Sequence, residues 1–358
     1  MPSDFYLKPV GILSGASAHS AVAGGFAGWL AGGPLAFTAV EVIRRGDDGR
    51  RETALFDIGN RAGSNAVAVE QALHHIAAQR ADFAGLTLER PRIMGVVNVT
   101  PDSFSDGGRY QDSAAAIAHG RTLVEAGADI LDVGGESTRP GAAPVSIEEE
   151  LARVIPVIAA LAKEGAVVSI DTRHASVMRG AIDAGARVIN DVTALAGDPQ
   201  SLDVAAKSGA GVVLMHMQGE PRTMQKDPSY RDAPLDIYDY FAERLAVCAA
   251  AGIPRDRVLL DPGIGFGKND RHNVALLHDL ALLHGLGCGI LLGVSRKSFI
   301  GRLSHGEDAA HRLPGTLAAT IAGLDRGAQF HRVHDVAEAA QALALWHAVV
   351  RGTDGREL

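Results

Sequence analysis

The stretch "RIMGVVNVTPDSFSDGG", residues 92–108, joins an apolar run to a polar loop that contains carboxylates, hydroxyls, an aromatic ring and glycines. The first seven residues predict a buried strand, because strands of a parallel sheet are covered on both faces and read as almost continuous apolar runs. Ligand sites in parallel α/β folds lie at the carboxyl ends of the strands. The stretch therefore predicts a core strand that leads into a functional loop.

The same alternation of an apolar run with a helix or a long loop continues towards the C-terminus. The eight candidate strands are "RIMGVVN", "ADILDVG", "AVVSID", "RVIND", "GVVLMH", "RVLLDPG", "GILLGVS" and "QFHRVHD". Eight such units within residues 89–358 predict an α/β fold of the (β/α)8 TIM barrel type. A doubly wound nucleotide-binding sheet is disfavoured, because no G-x-G-x-x-G pattern follows the first strand.

Residues 1–88 have a different pattern and predict a small α+β appendage in front of the barrel. Residues 35–45 and 52–59 have the composition of two strands, and "GDDG", residues 46–49, predicts the turn between them. Residues 65–79 have the apolar spacing of a helix. Three roles are open for this appendage, namely a lid, a dimer element and a plug at the bottom of the barrel.

Composition limits the partners and the compartment. The formal charge is −8, which argues against nucleic-acid and anionic-membrane partners. Residues 21–40 are apolar or small, but glycine pairs interrupt them and only Lys8 precedes them as a basic residue beyond the N-terminus, so we expect neither a membrane span nor a signal peptide. Cys248 and Cys288 are the only cysteines, and we interpret them as buried apolar thiols in a reducing cytoplasm.

Polar or charged residues follow almost every predicted strand. One such residue would be expected as a helix cap, but eight strand ends that share one rim of a barrel predict a ligand site. These residues are Asn98, Asp132 with Glu136, Asp171, Asn190 with Asp191, His216, Asp261, Lys297, and Arg332 with His334. For His216 we favour a hydrogen bond to the backbone. Asp132 and Glu136 either brace the second loop or contact the substrate.

The types of residue at the rim indicate two kinds of ligand group. Two carboxylates, an amide and a lysine suit a flat ring with amidine-like donors on one edge and carbonyl-type acceptors on the other. These four are Asp171, Asp261, Asn190 and Lys297, with Met215 and Phe266 as apolar surfaces. Arg332 and His334 in "RVHD", together with Arg139 in "GGESTRPGA", indicate an anion site that suits phosphate.

Eight motifs carry a resemblance to a known family over residue 92 to the C-terminus. They are "MGVVNVTPDSFSDGG", "DVGGESTRPGA", "SIDT", "VINDV", "MHMQGEPRTMQ", "DPGIGFGK", "GVSRKSFIG" and "RVHDV", in this order. Together they resemble the dihydropteroate synthases. Members of that family join 4-aminobenzoate to 6-hydroxymethyl-dihydropterin diphosphate and release diphosphate. The first 88 residues are an addition to the compact members of the family.

The resemblance implies a cofactor, Mg²⁺, and a role for each matching residue. The implied pterin-binding residues are Asp171, Asn190, Asp261, Lys297, Met215, Phe266 and Gly293. The implied diphosphate site consists of Asn98, Arg139, Arg332 and His334, with Asn98 also as the metal ligand. The aminobenzoate side is implied for Thr138, Pro140, Ser298 and Phe104, and catalytic roles for Asp106, Arg139 and Lys297. It also implies small-molecule substrates, a homodimer and inhibition by sulfonamides.

Two other functions fit parts of the pattern. A pterin-barrel methyltransferase would share the ring-binding aspartate and asparagine, but it would not need "TPDSFSDGG", "ESTRPG" or the lysine of "SRKS". A catalytically silent homologue would have lost Asn98, Arg139 or Lys297, and all three are present. We further predict that the segment 98–108 becomes ordered only when both substrate sites are filled.

Overall fold

The computed structural model describes residues 5–46, 50–60, 67–99, 109–136, 145–219 and 223–352. The N-terminal segment of the chain forms an α+β unit, as predicted. Its elements are β1 (Tyr6–Leu13), α1 (Gly15–Ala23), β2 (Gly28–Trp29), β3 (Ala36–Arg45), β4 (Arg51–Asp57) and α2 (Val67–Ala77). The sequence pattern identified β3, β4 and α2, whereas β1 and α1 were not recognised.

The central strand of the N-terminal sheet is β3, which pairs antiparallel with β1, β2 and β4. Val40 and Ile43 of β3 are fully buried, so this sheet has an apolar face of its own. The apolar stretch that raised the question of a membrane span, residues 21–40, is divided among α1, β2 and β3. In the described part of the chain, no helix is both long and apolar enough to cross a membrane.

Eight parallel strands close into a barrel and confirm the predicted TIM-barrel fold. They are β5 (Arg92–Asn98), β6 (Ile130–Gly134), β7 (Val168–Asp171), β8 (Val188–Asp191), β9 (Gly211–Met215), β10 (Val258–Asp261), β11 (Gly289–Leu292) and β12 (Phe330–Val333). The strands follow each other around the barrel in chain order, and β12 closes it by pairing with β5.

Helices surround the barrel and follow its strands. They are α3 (Arg109–Glu125), α4 (Ile147–Lys163), α5 (Ala175–Asp183), α6 (Ser201–Ser208), α7 (Ala233–Ala250), α8 (Asp270–His278), α9 (Ser298–Leu303), α10 (Leu313–Leu324) and α11 (Val336–Arg351). Short 3₁₀ helices occupy Arg255–Arg257, Leu280–Leu286 and Ala309–His311.

Alternation along each strand decides which side chains face the helices and which fill the barrel. Successive side chains of a strand point to opposite faces. In β6, Leu131 and Val133 belong to the large core between the strands and the helices, whereas Ile130 belongs to a separate inner cluster. Asp132 has the same parity as Ile130 and therefore points into the barrel. The inward-facing residues thus change along the strands, from apolar at the amino ends, the floor of the barrel, to polar at the carboxyl ends, its mouth.

A tight turn of the N-terminal segment closes the floor of the barrel. Phe83 and Leu86 exchange backbone hydrogen bonds of 3.0 and 2.9 Å, and the Phe83 ring is 1% exposed. The ring packs edge-to-face on Phe330 with centroids 5.4 Å apart. Gly211 leaves the space for it, because a Cβ there would lie 2.6 Å from the ring. Residues 83–86 thus act as a plug at the bottom of the barrel.

Ion pairs attach the N-terminal sheet to the side of the barrel. Arg51 donates two hydrogen bonds to Asp232, of 2.6 and 2.7 Å, and one of 2.7 Å to Asp279. Lys8 contacts Asp279 at 3.1 Å. Buried apolar residues of the segment, Tyr6 among them, belong to the same core cluster as the barrel. The division of the chain at residue 88 stays a prediction.

Candidate active site

The candidate site lies at the carboxyl end of the barrel, where the inward-facing residues change from apolar to polar. Five residues that the resemblance places in the site lie outside the described residues, namely Phe104, Asp106, Thr138, Arg139 and Pro140. The segment 98–108, predicted to become ordered with substrate, is described only up to residue 99. The described site is therefore built from the ends of strands and the loops that follow them.

A half-buried arginine, Arg332, connects three strands across the mouth of the barrel. The Nε of Arg332 donates to Asp132 Oδ2 at 2.6 Å, and its Nη2 donates to Asp171 Oδ2 at 2.8 Å. Asn190 Nδ2 also donates to Asp132 Oδ2, at 3.0 Å. Because these residues follow β12, β6, β7 and β8, the contacts require side chains that meet inside the barrel. Arg332 was predicted for the anion site, and its guanidinium thus also contacts Asp171, which was predicted to bind the ring.

Burial and neighbouring charges determine the protonation of this cluster. Burial opposes the charge of Arg332, but the carboxylates of Asp132 and Asp171 outweigh it and keep the arginine pKa above its ordinary value. Burial raises the pKa of Asp171 to about 7, although Arg332 opposes this shift. The carboxyl group of Asp171 therefore takes up a proton more readily than an ordinary aspartate, and hydrogen-bond donors of a ligand would favour its ionised form.

Asp261 and Lys297 face the same cavity from β10 and from the start of α9. The Lys297 ammonium lies 4.1 Å from the centre of the Phe266 ring, in a cation–π contact. Burial lowers the pKa of Lys297 to about 8, and Arg332 lowers it further, whereas Asp261 opposes both effects. Gly293 lies beside Asp261 and Arg332, because a Cβ there would be 3.7 Å from Asp261 Oδ2 and 3.9 Å from the Arg332 Cβ, at ordinary van der Waals distance.

A second lysine, Lys268, is buried beneath the Phe266 loop and was not identified from the sequence. Its side chain is 1% exposed and contacts three acceptors, His216 Nδ1 at 3.0 Å, His216 O at 3.1 Å and Phe266 O at 2.9 Å. The ammonium thus joins the end of β9 to the loop after β10. Burial, with repulsion from Lys268, lowers the pKa of His216 to about 2, so this imidazole is neutral.

The remaining predicted residues take different positions. His334 Nδ1 lies 3.0 Å from Ser295 Oγ, and burial with the charge of Arg332 lowers its pKa to about 4. The imidazole is therefore neutral before an anion binds. Met215 is 4% exposed at the end of β9, whereas Ser298 is exposed at the first position of α9.

Two acidic residues near strand ends, Glu136 and Asp191, form hydrogen bonds with loop residues. Glu136 accepts a hydrogen bond from Arg173 Nη2 at 3.2 Å, so it braces the loop after β6 against the loop after β7. Asp191 has the outward parity of β8 and accepts hydrogen bonds from Thr193 and Leu195 of its own loop. Parity separates Asn190, which faces the site, from Asp191, and the sequence already contains this signal. Asp132 could also have been assigned to the interior by parity.

Asn98 ends β5 with inward parity and suits a magnesium ion that is shared with a substrate. Its side chain makes no hydrogen bond to another described residue, so the amide oxygen is available. Within the described ranges, no group of three His, Cys, Asp or Glu side chains could hold a metal. Mg²⁺ commonly takes one or two protein oxygens and completes its shell with substrate phosphates and water. Asn98 fits this mode, in which the substrate brings most of the ligands.

Asp171, Asp261, Asn190 and Lys297 thus lie at the mouth of a closed parallel barrel, where the resemblance places the pterin ring of a pterin-binding enzyme. The family model described as "Pterin binding enzyme" matches residues 94–334. Dihydropteroate synthase of Escherichia coli strain K12 is 46% identical over 277 residues, which are 77% of this chain and 98% of the relative. The chain belongs to the dihydropteroate synthase family, whose members are transferases of folate biosynthesis.

Solved structures of the same family share the fold. Dihydropteroate synthase of Xanthomonas albilineans with 4-aminobenzoic acid has 50% sequence identity and a TM-score of 0.71, and the match covers 75% of this chain and 97% of that chain. The same enzyme in complex with 7,8-dihydropteroate has 47% identity and a TM-score of 0.67, with 74% and 95% covered. The resemblance seen in the eight sequence motifs is confirmed at the level of the family.

Proposed function

We propose that this enzyme joins 4-aminobenzoate to the methylene carbon of 6-hydroxymethyl-7,8-dihydropterin diphosphate, with release of diphosphate. The observation that carries the proposal is the convergence of Asp171, Asn190, Asp261 and Lys297 from four different strands on one cavity. Two solved structures of the relative from Xanthomonas albilineans are described with 4-aminobenzoic acid and with 7,8-dihydropteroate. These molecules are a substrate and a product of the proposed reaction.

The pterin ring would lie in the inner part of the mouth. Asp171 and Asp261 accept hydrogen bonds from its amino and ring N–H groups, because ionised carboxylates are acceptors only. Asn190 supplies an amide oxygen, and Lys297 donates to the acceptor edge of the ring. Met215, Phe266 and Gly293 would line the faces of the ring (Phe266 already covers the Lys297 ammonium).

The diphosphate would lie above the ring, towards the opening. Arg332 offers donors that its two carboxylate partners leave free, and His334 gains a proton more readily beside an anion. Arg139 is the third group proposed here. A Mg²⁺ ion held by Asn98 and the diphosphate oxygens would neutralise part of the leaving group's charge when bound.

The reaction needs stabilisation of charge more than it needs a strong base. The bond from the methylene carbon to the diphosphate oxygen breaks, and its electron pair leaves on the diphosphate. The amine lone pair of 4-aminobenzoate forms the new C–N bond, and the nitrogen then releases one proton. Electron donation from the pterin ring stabilises the cation formed between these events, so we propose a dissociative displacement assisted by guanidinium groups and Mg²⁺.

Five proposed roles concern residues outside the described ranges, and one concerns Ser298. Asp106 would approach the cationic centre, and Arg139 would bind the leaving group. Phe104, Thr138 and Pro140 would contact the 4-aminobenzoate ring together with Ser298. Ser298 is exposed at the first position of α9, so it is accessible to a second substrate that enters after the pterin.

We also propose that the enzyme is a cytoplasmic homodimer whose partners are otherwise small molecules. Support for a dimer comes from α11, where Leu345 and Val349 lie one turn apart with 66% and 70% of their surface exposed. Support for a reducing compartment comes from Cys248 and Cys288, which are buried free thiols. Light scattering at several protein concentrations tests the dimer, and cell fractionation tests the location.

The experiment that tests the function is incubation of the protein with the pterin diphosphate, 4-aminobenzoate and MgCl₂. We expect release of diphosphate and formation of 7,8-dihydropteroate in equal amounts, and neither product when one substrate is omitted. Asp171→Asn should retain the fold, measured by circular dichroism, and lose most of the activity, because the ring loses an acceptor.

Two outcomes would contradict the proposal. The first is an absence of both products from a correctly folded protein, and the second is an Asp171→Asn variant with the kinetics of the wild type. A parallel incubation with methyltetrahydrofolate and a corrinoid protein examines the methyltransferase alternative. Methyl transfer there, without condensation, would assign the ring pocket to that class of enzyme.

A further inference from the structure

A carboxylate that no substrate can reach directly is at the centre of the site. Asp132 is the middle residue of β6, and its exposed fraction is 0%. One oxygen, Oδ2, accepts from both Arg332 Nε and Asn190 Nδ2, at 2.6 and 3.0 Å. The other oxygen, Oδ1, has no hydrogen-bond partner among the described residues. Asp132 therefore acts through the two side chains that it holds.

The contact with Asn190 decides which face of that amide meets a ligand. A carboxamide has one donor group and one acceptor oxygen. Only the NH₂ group can donate to a carboxylate, so the Asn190 oxygen must point away from Asp132. A neutral group at position 132 would remove this constraint, since an amide there could either donate or accept. The orientation of the ring-facing oxygen thus depends on the charge of Asp132.

The contact with Arg332 decides which of its donors are free. A guanidinium has five N–H groups in a fixed plane. Asp132 binds Nε and Asp171 binds Nη2, whereas Nη1 has no hydrogen bond among the described residues. The side chain is 23% exposed, so an anion can reach it. Without Asp132, Asp171 would be the remaining carboxylate partner of Arg332 in this network. Arg332 would then compete with the pterin for the carboxylate oxygens of Asp171.

We propose that Asp132 is a positioning residue for the pterin diphosphate, because it fixes the acceptor face of Asn190 and the free donors of Arg332 at the same time. This inference rests on the function proposed above. A role in stability alone does not explain the arrangement, since a buried ion pair costs desolvation and apolar replacements are often as stable. The carboxylate is placed where two ligand-binding groups from β8 and β12 need a common anchor.

The test compares Asp132→Asn with Asp191→Asn in the full-length enzyme. Asp191 is a matched control, because it is also 0% exposed, at the end of β8, but the hydrogen bonds that it accepts come from Thr193 and Leu195 of its own loop. Steady-state kinetics are measured for both substrates, thermal unfolding is followed for each protein, and binding of 6-hydroxymethyl-7,8-dihydropterin is measured by calorimetry.

We expect Asp132→Asn to raise KM for the pterin diphosphate roughly 30-fold or more, as is typical when one partner of a buried charged pair is truncated. Its KM for 4-aminobenzoate should stay at the wild-type value, and its affinity for the pterin alcohol should fall. Asp191→Asn should lower the melting temperature and leave both KM values unchanged. A melting temperature lowered in both variants, with KM unchanged in both, would overturn the proposal.

A second substitution covers a failure of the first to fold. Asp132→Ser is smaller, and its hydroxyl can accept a hydrogen bond from only one side at full strength, so the same rise in KM is expected. If neither variant folds while Asp191→Asn does, Asp132 is a stabilising residue and the proposal is wrong. Wild-type turnover in the same assay separates these results from a failure of the proposed function itself.

Discussion

The two ends of the barrel are built from the same eight strands but solve different problems. At the floor, the inward-facing side chains are apolar and close around Phe83. At the mouth, two or four residues further along each strand, they are Asp132, Asp171, Asn190 and Arg332, joined in one network. Whether a side chain faces the interior therefore depends on its parity in the strand. Whether it packs in the core or belongs to the candidate site depends on how far along the strand it lies. Changes at the floor should therefore reduce stability, and changes at the mouth should reduce function.

The largest expected effect is at the floor. Phe83→Ala removes a fully buried ring and leaves a cavity against Phe330 and Gly211, which should lower the free energy of unfolding by about 3–5 kcal/mol. Chemical denaturation measures this change. Phe83→Leu is the control, because it fills most of the space and should cost less. The KM values of both variants should equal those of the wild type, and a selective rise in KM would break the distinction between the two ends.

The second prediction concerns Lys268→Met, a substitution at the mouth of the barrel. The change leaves the carbonyl groups of His216 and Phe266 without their donor, and we expect a loss of about 2–3 kcal/mol in unfolding free energy. Unlike the floor variant, it should also raise KM for the pterin diphosphate, because the Phe266 loop loses its anchor. Lys207→Met, at an exposed lysine of α6, is the matched control and should change neither quantity. An unchanged KM in Lys268→Met would remove Lys268 from the site.

A smaller effect is expected where the N-terminal sheet is attached to the barrel. Arg51→Ala should lower the free energy of unfolding by about 1–2 kcal/mol, because the buried Asp279 loses a charged partner, although Lys8 remains. The loss should shrink at high salt, as expected for an ion pair. Arg44→Ala, at an exposed position of the neighbouring strand β3, should have no effect. Equal losses in both variants would indicate a general charge effect.

The smallest effect concerns pH and belongs to the mouth alone. The pKa of Asp171 is raised to about 7, so its contribution to stability is present at low pH and is lost as pH rises through 7. Pterin binding follows the opposite direction, because the ionised carboxylate accepts the ring donors. Above the Lys297 pKa of about 8, the ring loses a charged donor.

We therefore expect kcat/KM for the pterin diphosphate to rise towards pH 7 and to fall above pH 8. Lys297→Met should remove the alkaline limb, and Asp171→Asn should remove the acidic limb. Phe83→Leu serves as the control, since a floor variant should keep the wild-type profile. A profile that is the same in all four proteins would show that the limbs arise from the substrates.

The sequence was sufficient for the barrel because its strands are covered on both faces and read as apolar runs. All eight predicted strands are present, although β9, β10, β11 and β12 end one to three residues earlier than the quoted stretches. β1 was missed because its stretch, residues 6–13, contains Lys8, Pro9 and Gly11, which lower strand propensity. It forms by pairing with β3, a partner about thirty residues away that local patterns do not contain.

The sequence predicted where the described candidate residues lie, at the ends of the barrel strands, but not the contacts between them. Strand ends and motifs identify Asp171, Asn190, Asp261 and Lys297, because position along a barrel strand is encoded locally. The bond between Arg332 and Asp132 joins residues 200 positions apart in the sequence. The burial of Lys268 likewise depends on how the loop after β10 folds back on β9. Such contacts depend on the direction of long side chains, which spacing does not determine.

The plug at Phe83 also restricts where substrates and products can enter and leave the barrel. With the floor closed by the described residues, the mouth is the end of the barrel that remains for two substrates and two products. The pterin lies deeper than the amine in the proposed arrangement, so the amine in place would obstruct it. Addition of the substrates should therefore be ordered, with the pterin diphosphate first, and diphosphate should depart before the new pteroate can leave.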